Sequence, residues 1–282
     1  MDLSVITVTW NSKNCIGEQI RSVQAGCRVI SYEHCIVDNA SSDGTGEYIK
    51  KEFPEVTLIQ NRKNNGFGAA NNQAAKEARG GYLLFLNPDM RVTPGSLDIM
   101  LGWMRAHPPV GLASCLLVNE EGEANPGAQP RRFPTWRDQL IILLKLHHLF
   151  PKLIDTYLFK DFDPAKEQMV DSVRGSFMLM RRAVYEKLGF AFDPRYFIWF
   201  EDVDLCREVW RLGWAVMHTP VIKCVDHVGQ SFKQRPSVWK QKQFSRSLVA
   251  YFRKWEPWYA TLIITLARPV GIALAWVYSL SR

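Results

Sequence analysis

The stretch FEDVDLC places three acids, Glu201, Asp202 and Asp204, directly after a run of aromatic side chains. A carboxylate beside apolar rings can serve as a general base, because desolvation raises its pKa. The same acids also suit the first turn of a helix, where they accept backbone N–H bonds and oppose the positive end of the dipole. A helix is predicted here, since apolar residues recur at helical spacing from Leu205 and Gly213 provides a stop.

Polar residues also follow the ends of three predicted strands. They are Thr9, Trp10 and Asn11 after the first strand, Asp38 and Asn39 after the second, and Asn87 and Asp89 after the fourth. In open α/β sheets, ligands bind beyond the carboxyl ends of the strands, so we expect these residues on one rim of the sheet. Loop polarity alone explains any one cluster but not all three together.

Two of these carboxylates suggest particular chemistry. Asp38, in VDNASSDGT, can accept hydrogen bonds from a base N–H or a ribose hydroxyl, although turn and helix-cap roles also suit the loop that follows. Asp89, in LNPDM, suits Mg²⁺ or Mn²⁺, which often bind through one or two carboxylates together with substrate phosphates. His227, in VDHVGQSF, would supply a nitrogen ligand and favour Mn²⁺.

The elements that must position these residues alternate between β-rich and helical patterns. Strands are predicted at 3–10, 34–39, 56–60, 82–86 and 110–118, and helices at 15–27, 44–53, 67–79 and 95–106. This alternation predicts a mostly parallel sheet covered on both faces. Neither GxGxxG after the first strand nor GxxxxGK[ST] is present, which argues against dinucleotide redox chemistry and ATP hydrolysis.

The composition is that of a folded globular protein: 282 residues, 47% hydrophobic and 22% charged. The six cysteines are scattered without a CxxC pair, which fits thiols in a reducing compartment, and the first strand begins without a signal-peptide pattern. We therefore expect a cytoplasmic location.

The net charge of +7 is concentrated in residues 232–254, which hold seven basic side chains and no acid. The apolar stretch 258–278 follows, about as long as a membrane span. Arg268 beside Pro269 falls in its middle, which favours interfacial association over a clean span. A buried core helix or an oligomer contact is the alternative. We accordingly divide the chain into a catalytic domain (1–231) and a helical, membrane-associating segment (232–282).

The first 230 or so residues resemble the family 2 glycosyltransferases, especially bacterial rhamnosyltransferases. The motifs that carry the resemblance are VTWN, VDNASSDGT, NNGFGAANN, LNPDM, RGSFMLMRR, FEDVDLC and the His of DHVGQS, in this order along the chain. The resemblance implies a GT-A fold, a mostly parallel sheet flanked by helices. It also implies transfer of a sugar from a nucleoside diphosphate donor with inversion at the anomeric carbon.

Carried over to this sequence, the resemblance implies a role for each motif residue. The nucleotide-sugar side comprises Thr9, Asn11, Asp38, Asn39, Asn65, Gly66 and Asn87. Asp89 would bind the metal, Mg²⁺ or Mn²⁺. The family commonly has DxD here, whereas this chain has Asn87 at the first position, so His227 becomes a candidate compensating ligand.

The resemblance also divides the acids of FEDVDLC. Asp202 would be the base that takes the proton from the acceptor hydroxyl, Glu201 would contact the acceptor or orient the base, and Asp204 would be structural. The acceptor site would be bordered by Arg174, Gly175 and Ser176.

The sequence thus predicts an inverting glycosyltransferase on the cytoplasmic face of a membrane. We expect a dTDP- or UDP-linked donor, with rhamnose favoured, and a lipid-linked or polysaccharide acceptor. A sugar nucleotidyltransferase is the first alternative, but the Gly-rich basic loop that it needs after the first strand is missing. A non-catalytic nucleotide-sugar binding protein is the second. Nucleic-acid binding is disfavoured, since no recognisable module accompanies the basic cluster.

Overall fold

The computed structural model describes residues 1–227 and 236–280. Within these ranges the strands are β1 (Leu3–Thr9), β2 (Tyr32–Asp38), β3 (Thr57–Gln60), β4 (Tyr82–Leu86), β5 (Met90–Val92), β6 (Val110–Val118), β7 (Gln168–Met169), β8 (Phe177–Arg181) and β9 (Ala215–Asp226). The helices are α1 (Ile16–Gly26), α2 (Thr45–Glu52), α3 (Phe67–Glu77), α4 (Ser96–Ala106), α5 (Trp136–Leu143), α6 (Arg182–Leu188), α7 (Glu201–Arg211), α8 (Ser237–Trp255) and α9 (Trp258–Leu280). The elements predicted in the first half are confirmed, with boundaries that differ by at most two residues.

The strands form one sheet in the order β3-β2-β1-β4-β8-β6-β9-β5, with β7 pairing β9. The part β3-β2-β1-β4 is parallel, as predicted, because a helix connects each strand to the next. Beyond β4 the sheet is mixed: β8 lies antiparallel between β4 and β6, and β9 runs parallel to β6 but antiparallel to β5.

Helices cover both faces of this sheet, as the alternation predicted. Adjacent residues of a strand point to opposite faces, so Val5 and Leu84 belong to one apolar cluster while Ile6 and Phe85 belong to the other. The first cluster includes Met100 of α4. These residues are fully buried, and each buried large apolar side chain stabilises the fold by about 1.5–3 kcal/mol.

The apolar stretch 139–150 has the pattern of one helix, but only its beginning is α-helical in the structure. Helix α5 begins at a capping box, in which Thr135 and Asp138 exchange side-chain-to-backbone hydrogen bonds. It ends at Leu143, and Lys145 then takes a left-handed φ of 60°, which an α-helix cannot continue through. Short 3₁₀ turns follow.

The two C-terminal helices pack on the sheet domain through a third apolar cluster. Leu248 and Tyr251 of α8 are buried there with Tyr196 and Phe200, which precede α7, and Ile264 of α9 joins them. Helix α9 continues through Pro269 without interruption and packs on α8 and α5. The predicted C-terminal apolar helix is therefore present, with one side packed on the protein.

Candidate active site

A cleft of about 350 Å³ opens at the carboxyl edge of the sheet. Nine of the fourteen residues that the sequence assigned to the site line it. They are Asn39, Gly66, Asn87, Asp89, Arg174, Gly175, Ser176, Glu201 and Asp202. Residues from strand ends, a loop and a helix start thus meet in one cavity.

The other five lie outside the lining: Thr9, Asn11, Asp38, Asn65 and His227. Asp38 is buried, and one of its carboxylate oxygens accepts hydrogen bonds from the Thr9 hydroxyl (3.3 Å) and the Ser41 backbone N–H (3.2 Å). Asn11, with a left-handed φ of 51°, accepts from the Ser42 N–H at 2.8 Å. These side chains brace the loop after β2, and their assignment to the nucleotide pocket stays a prediction.

Asn39 holds one wall of the cleft in place. Its side-chain NH₂ donates to Asn64 Oδ1 (3.1 Å) and to the Gly66 carbonyl (3.2 Å), and its Oδ1 accepts from the Asn65 N–H (3.0 Å). Gly66 has a φ of 90°, and a Cβ there would lie 2.5 Å from the carbonyl oxygen of Phe197. Glycine is therefore required at this close approach between the loop and the segment before α7.

The carboxylate side of the cleft centres on Asp89. Because β5 pairs antiparallel with β9, Met90 lies opposite Asp226, and the His227 N–H donates to the Asp89 carbonyl at 3.3 Å. Asp226 lines the cleft together with Asp89. Sequence reasoning missed Asp226, although it stands directly before His227 in the quoted motif. His227 Nδ1 lies 2.6 Å from a Glu120 carboxylate oxygen.

The residues around Asp89 fit a hard divalent cation in part. Aspartate oxygens are the ligands that Mg²⁺ and Mn²⁺ accept. In residues 1–227 and 236–280, no three His, Cys, Asp or Glu side chains lie close enough together to hold a metal ion by themselves. A divalent ion at Asp89 would therefore need further ligands from outside the protein, such as substrate phosphates.

The acid pair Glu201 and Asp202, at the start of α7, forms another part of the cleft wall. Trp199 and Phe200, immediately before it, both have left-handed φ values, 66° and 69°. Such a conformation costs on the order of 1–3 kcal/mol for a non-glycine residue and is concentrated at functional sites. These two left-handed residues end the aromatic segment, and α7 then begins with Glu201 and Asp202, which line the cleft.

The two acids of the pair have different environments. One Asp202 carboxylate oxygen accepts from the Gly175 N–H at 3.1 Å, which orients it. Glu201 is only 6% exposed, and its Oε2 receives no hydrogen bond from the described part of the chain. Burial, and then the adjacent charge of Asp202, raises the pKa of Glu201 well above its ordinary value. Glu201 therefore favours the protonated form.

Asp204 faces away from the cleft. It is fully buried and accepts hydrogen bonds from the Tyr196 hydroxyl (3.0 Å), the Trp255 indole (2.6 Å) and the Lys254 ammonium (2.7 Å). These contacts fit the structural role expected for Asp204, but its partners belong to α8 and the aromatic segment as well as to its own helix.

Acidic side chains outnumber basic ones among the described residues that line the cleft. Among the described lining residues, Asp89, Glu201, Asp202 and Asp226 carry carboxyl groups, and Arg174 carries the one basic side chain. A diphosphate group would meet net negative charge here unless a cation came with it.

The mixed sheet flanked by helices, with acids at the carboxyl edge, is a GT-A-type fold. The chain belongs to glycosyl transferase family 2, whose family model matches residues 4–189. The resemblance on which the sequence prediction rested is thus confirmed.

Curated relatives include rhamnosyltransferases. The chain is 28% identical over 214 residues to an N-acetylglucosaminyl-diphospho-decaprenol L-rhamnosyltransferase of Mycobacterium tuberculosis, covering 72% of this chain and 68% of that protein. It is 27% identical to the rhamnosyltransferase WbbL of Escherichia coli K12, covering 65% and 70%. A mannosyltransferase of Pyrobaculum calidifontis, solved with GDP-Man and Mn²⁺, matches with a TM-score of 0.59 at 19% identity over 99% of this chain and 74% of that one. This last likeness shows the fold.

Proposed function

We propose that the chain is an inverting, metal-dependent rhamnosyltransferase of cell-surface glycan synthesis. It moves the sugar from a dTDP- or UDP-linked donor to a hydroxyl of a lipid-linked or polysaccharide acceptor. The observation that carries the proposal is that Asp89 and Asp202, from distant parts of the chain, line one cleft. The names of the M. tuberculosis and E. coli relatives support rhamnose as the sugar.

In the proposed reaction, Asp202 is the base. It takes the proton from the acceptor hydroxyl as that oxygen attacks the anomeric carbon, and the bond from that carbon to the diphosphate breaks with its electron pair leaving on phosphate. Attack from the face opposite the leaving group inverts the configuration. The Gly175 N–H donates to one Asp202 oxygen at 3.1 Å and the Val203 N–H donates to the other at 2.8 Å, so the two hydrogen bonds together fix the orientation of the base.

We place the sugar donor at the loop of Asp89 and at the ends of the neighbouring strands. Asp89 would hold Mg²⁺ or Mn²⁺, with His227 as a further candidate ligand, and the ion when bound would offset negative charge on the leaving diphosphate. The residues proposed to contact the nucleotide sugar are Thr9, Asn11, Asp38, Asn39, Asn65, Gly66 and Asn87. The bracing contacts of Asp38 and Asn39 support this indirectly, because they shape the loops that border the cleft.

Two surfaces support membrane association of residues 232–282. In the described chain, one helix, spanning Trp258–Val277, is long and apolar enough to cross a membrane, and 22% of this window is buried in the protein. Its outer side carries the exposed apolar residues Trp258, Tyr259, Leu262, Leu266, Val270, Trp276 and Val277. Leu149, Phe150 and Leu153, in the turns after α5, are exposed as well. A helix packed on protein along one side suits insertion into one leaflet.

This geometry fits a lipid-linked acceptor presented at the cytoplasmic face of the membrane. The M. tuberculosis relative is named for a diphospho-decaprenol acceptor, which is of this chemical class. The basic side chains described on α8, such as Arg246 and Arg253, suit an anionic leaflet.

The test is a panel of dTDP-, UDP- and GDP-sugars with and without Mn²⁺ or Mg²⁺, read by thermal unfolding and by donor hydrolysis. A bound donor raises the apparent stability, by about 2.7 kcal/mol at a concentration of 100 Kd. We expect metal-dependent stabilisation, lost in Asp89→Ala, and slow hydrolysis of one donor. Stabilisation without any hydrolysis or transfer would instead favour the non-catalytic binding protein, to which Asn87 in place of an acid gives some support. No response to any nucleotide sugar would refute the proposal.

A further inference from the structure

Arg174 differs from three other half-buried cations, Lys254, Arg207 and Arg181. Lys254 contacts three carboxylates, and Arg207 contacts Glu256 at 2.7 Å and the Tyr251 hydroxyl at 2.9 Å. Arg181 donates to the Val110 carbonyl at 2.6 Å and to other acceptors. Within residues 1–227 and 236–280, the Arg174 guanidinium makes no hydrogen bond, and no carboxylate oxygen lies within 4.0 Å of its nitrogens.

The position of Arg174 connects the two sides of the cleft. The next residue, Gly175, donates its N–H to Asp202 at 3.1 Å. The residue after that, Ser176, accepts the Asn87 N–H at 3.0 Å. The backbone that carries Arg174 is therefore fixed both to the proposed base and to the loop of Asp89, and Arg174 lines the cleft together with them.

The surroundings of Arg174 are unfavourable for a cation without a bound anion. Desolvation lowers its pKa, and the charge of Arg131 lowers it further, while Asp202, Tyr157 and Asp226 act in the opposite direction. The guanidinium presents a planar fork of N–H donors that matches two oxygens of a phosphate group. Asn87 also leaves the Asp89 loop with one carboxylate fewer to hold a divalent ion, so a second source of positive charge beside the ion would strengthen anion binding.

We propose that Arg174 binds the diphosphate of the donor and shares its neutralisation with the divalent ion. The inference rests on the proposed function, and it moves Arg174 from the acceptor border, where the sequence resemblance placed it, to the donor side. In the reaction, the guanidinium would hold the departing diphosphate while Asp202 receives the proton.

The experiment measures binding of dTDP and UDP to the full chain by calorimetry with saturating Mn²⁺, using dTMP and UMP as monophosphate probes. Arg174→Ala should weaken binding of the nucleoside diphosphate about 10- to 100-fold and that of the monophosphate much less, because the lost contact is to the second phosphate. Arg174→Lys should recover part of the loss, since it keeps the charge but not the fork. Thermal unfolding of each variant reports whether the fold is kept.

Arg131→Ala is the matched control. Arg131 is close enough to affect Arg174 electrostatically but does not line the cleft, so the variant removes the same charge without the proposed contact. Equal losses in Arg131→Ala and Arg174→Ala would overturn the inference in favour of a general field effect. Wild-type diphosphate affinity in a folded Arg174→Ala with a raised acceptor KM would overturn it in favour of the acceptor role. A wild-type chain that binds neither diphosphate with Mn²⁺ would overturn this inference and the proposed function together.

Discussion

Lys254 is predicted to be the most sensitive single position outside the cleft. Its ammonium lies 2.7 Å from Asp204, 2.8 Å from Glu208 and 3.0 Å from Asp193, and its side chain is 12% exposed. The three carboxylate side chains are 1–8% exposed. Lys254→Met keeps most of the apolar stem but leaves three buried acids without their shared cation.

Breaking a buried ion pair by removing one partner costs about 3–5 kcal/mol. We therefore expect Lys254→Met to lower the free energy of unfolding by about that amount and the Tm by on the order of 10 °C. Burial alone would raise the pKa of Asp193, but hydrogen bonds from Arg195 and Lys254 hold it at about 2. A lowered carboxyl pKa contributes stability that is present above the unfolded pKa and is lost as the pH falls through the folded value.

The destabilisation of Lys254→Met should consequently be largest near neutral pH and shrink below about pH 4, where the freed carboxylates take up protons. Denaturant unfolding at pH 7 and pH 3 measures both values. Lys242→Met is the control, because Lys242 is an exposed basic residue of the same helix. The reasoning would be refuted if Lys254→Met lowered the free energy of unfolding by less than about 1 kcal/mol at pH 7, or by the same amount at both pH values.

Three further predictions concern the cleft and the outer side of α9. Asp202→Asn should bind the donor nearly as wild type does but lower the transfer rate by at least about 10²-fold, and normal turnover would rule out the base assignment. The pKa of Glu201 is raised in the folded chain. Its contribution to the free energy of unfolding therefore falls as the pH rises above 4.5, the ordinary pKa of a glutamate. Glu201→Gln should remove this part of the pH dependence of Tm, and parallel wild-type and variant curves would contradict it. Leu266→Glu, at a side chain that is 67% exposed, should reduce sedimentation with anionic vesicles, whereas Ile99→Glu on α4, 53% exposed, should not; equal effects would argue against a bilayer-contacting α9.

The parallel part of the fold could be predicted from the sequence because its signals are local. Each β-rich run from residue 3 to residue 86 is followed by a helical period, and the polar residues at the strand ends then fall on one edge. The pairing of β5 with β9 is different, since it joins residues more than 130 positions apart. Hydrophobic periodicity does not specify such a partner, so the position of Asp226 beside Asp89 could not be read from the chain.

The hydrogen-bond partners of individual side chains could not be predicted from the sequence either. The sequence marked Asp38 as a carboxylate at a strand end but could not show that Thr9 and Ser41 would occupy one of its oxygens. It marked Asp204 as structural but gave no sign of Lys254, fifty residues later. The left-handed backbone at Trp199 and Phe200 was equally invisible, because bulky aromatic residues disfavour that conformation and only the surrounding packing enforces it.

Helix α8 joins the cleft to the apolar helix behind it. Trp239, near its start, lines the cleft, and two residues further on Gln241 lies beside Gly271 of α9. Packed helix axes are about 8–10 Å apart, so a hydrocarbon chain held beside α9 and a saccharide held beside Trp239 need only a short tether between them. A substrate confined to two dimensions would then reach the cleft at a much higher effective concentration than the same saccharide free in solution, without any additional contact to the sugar.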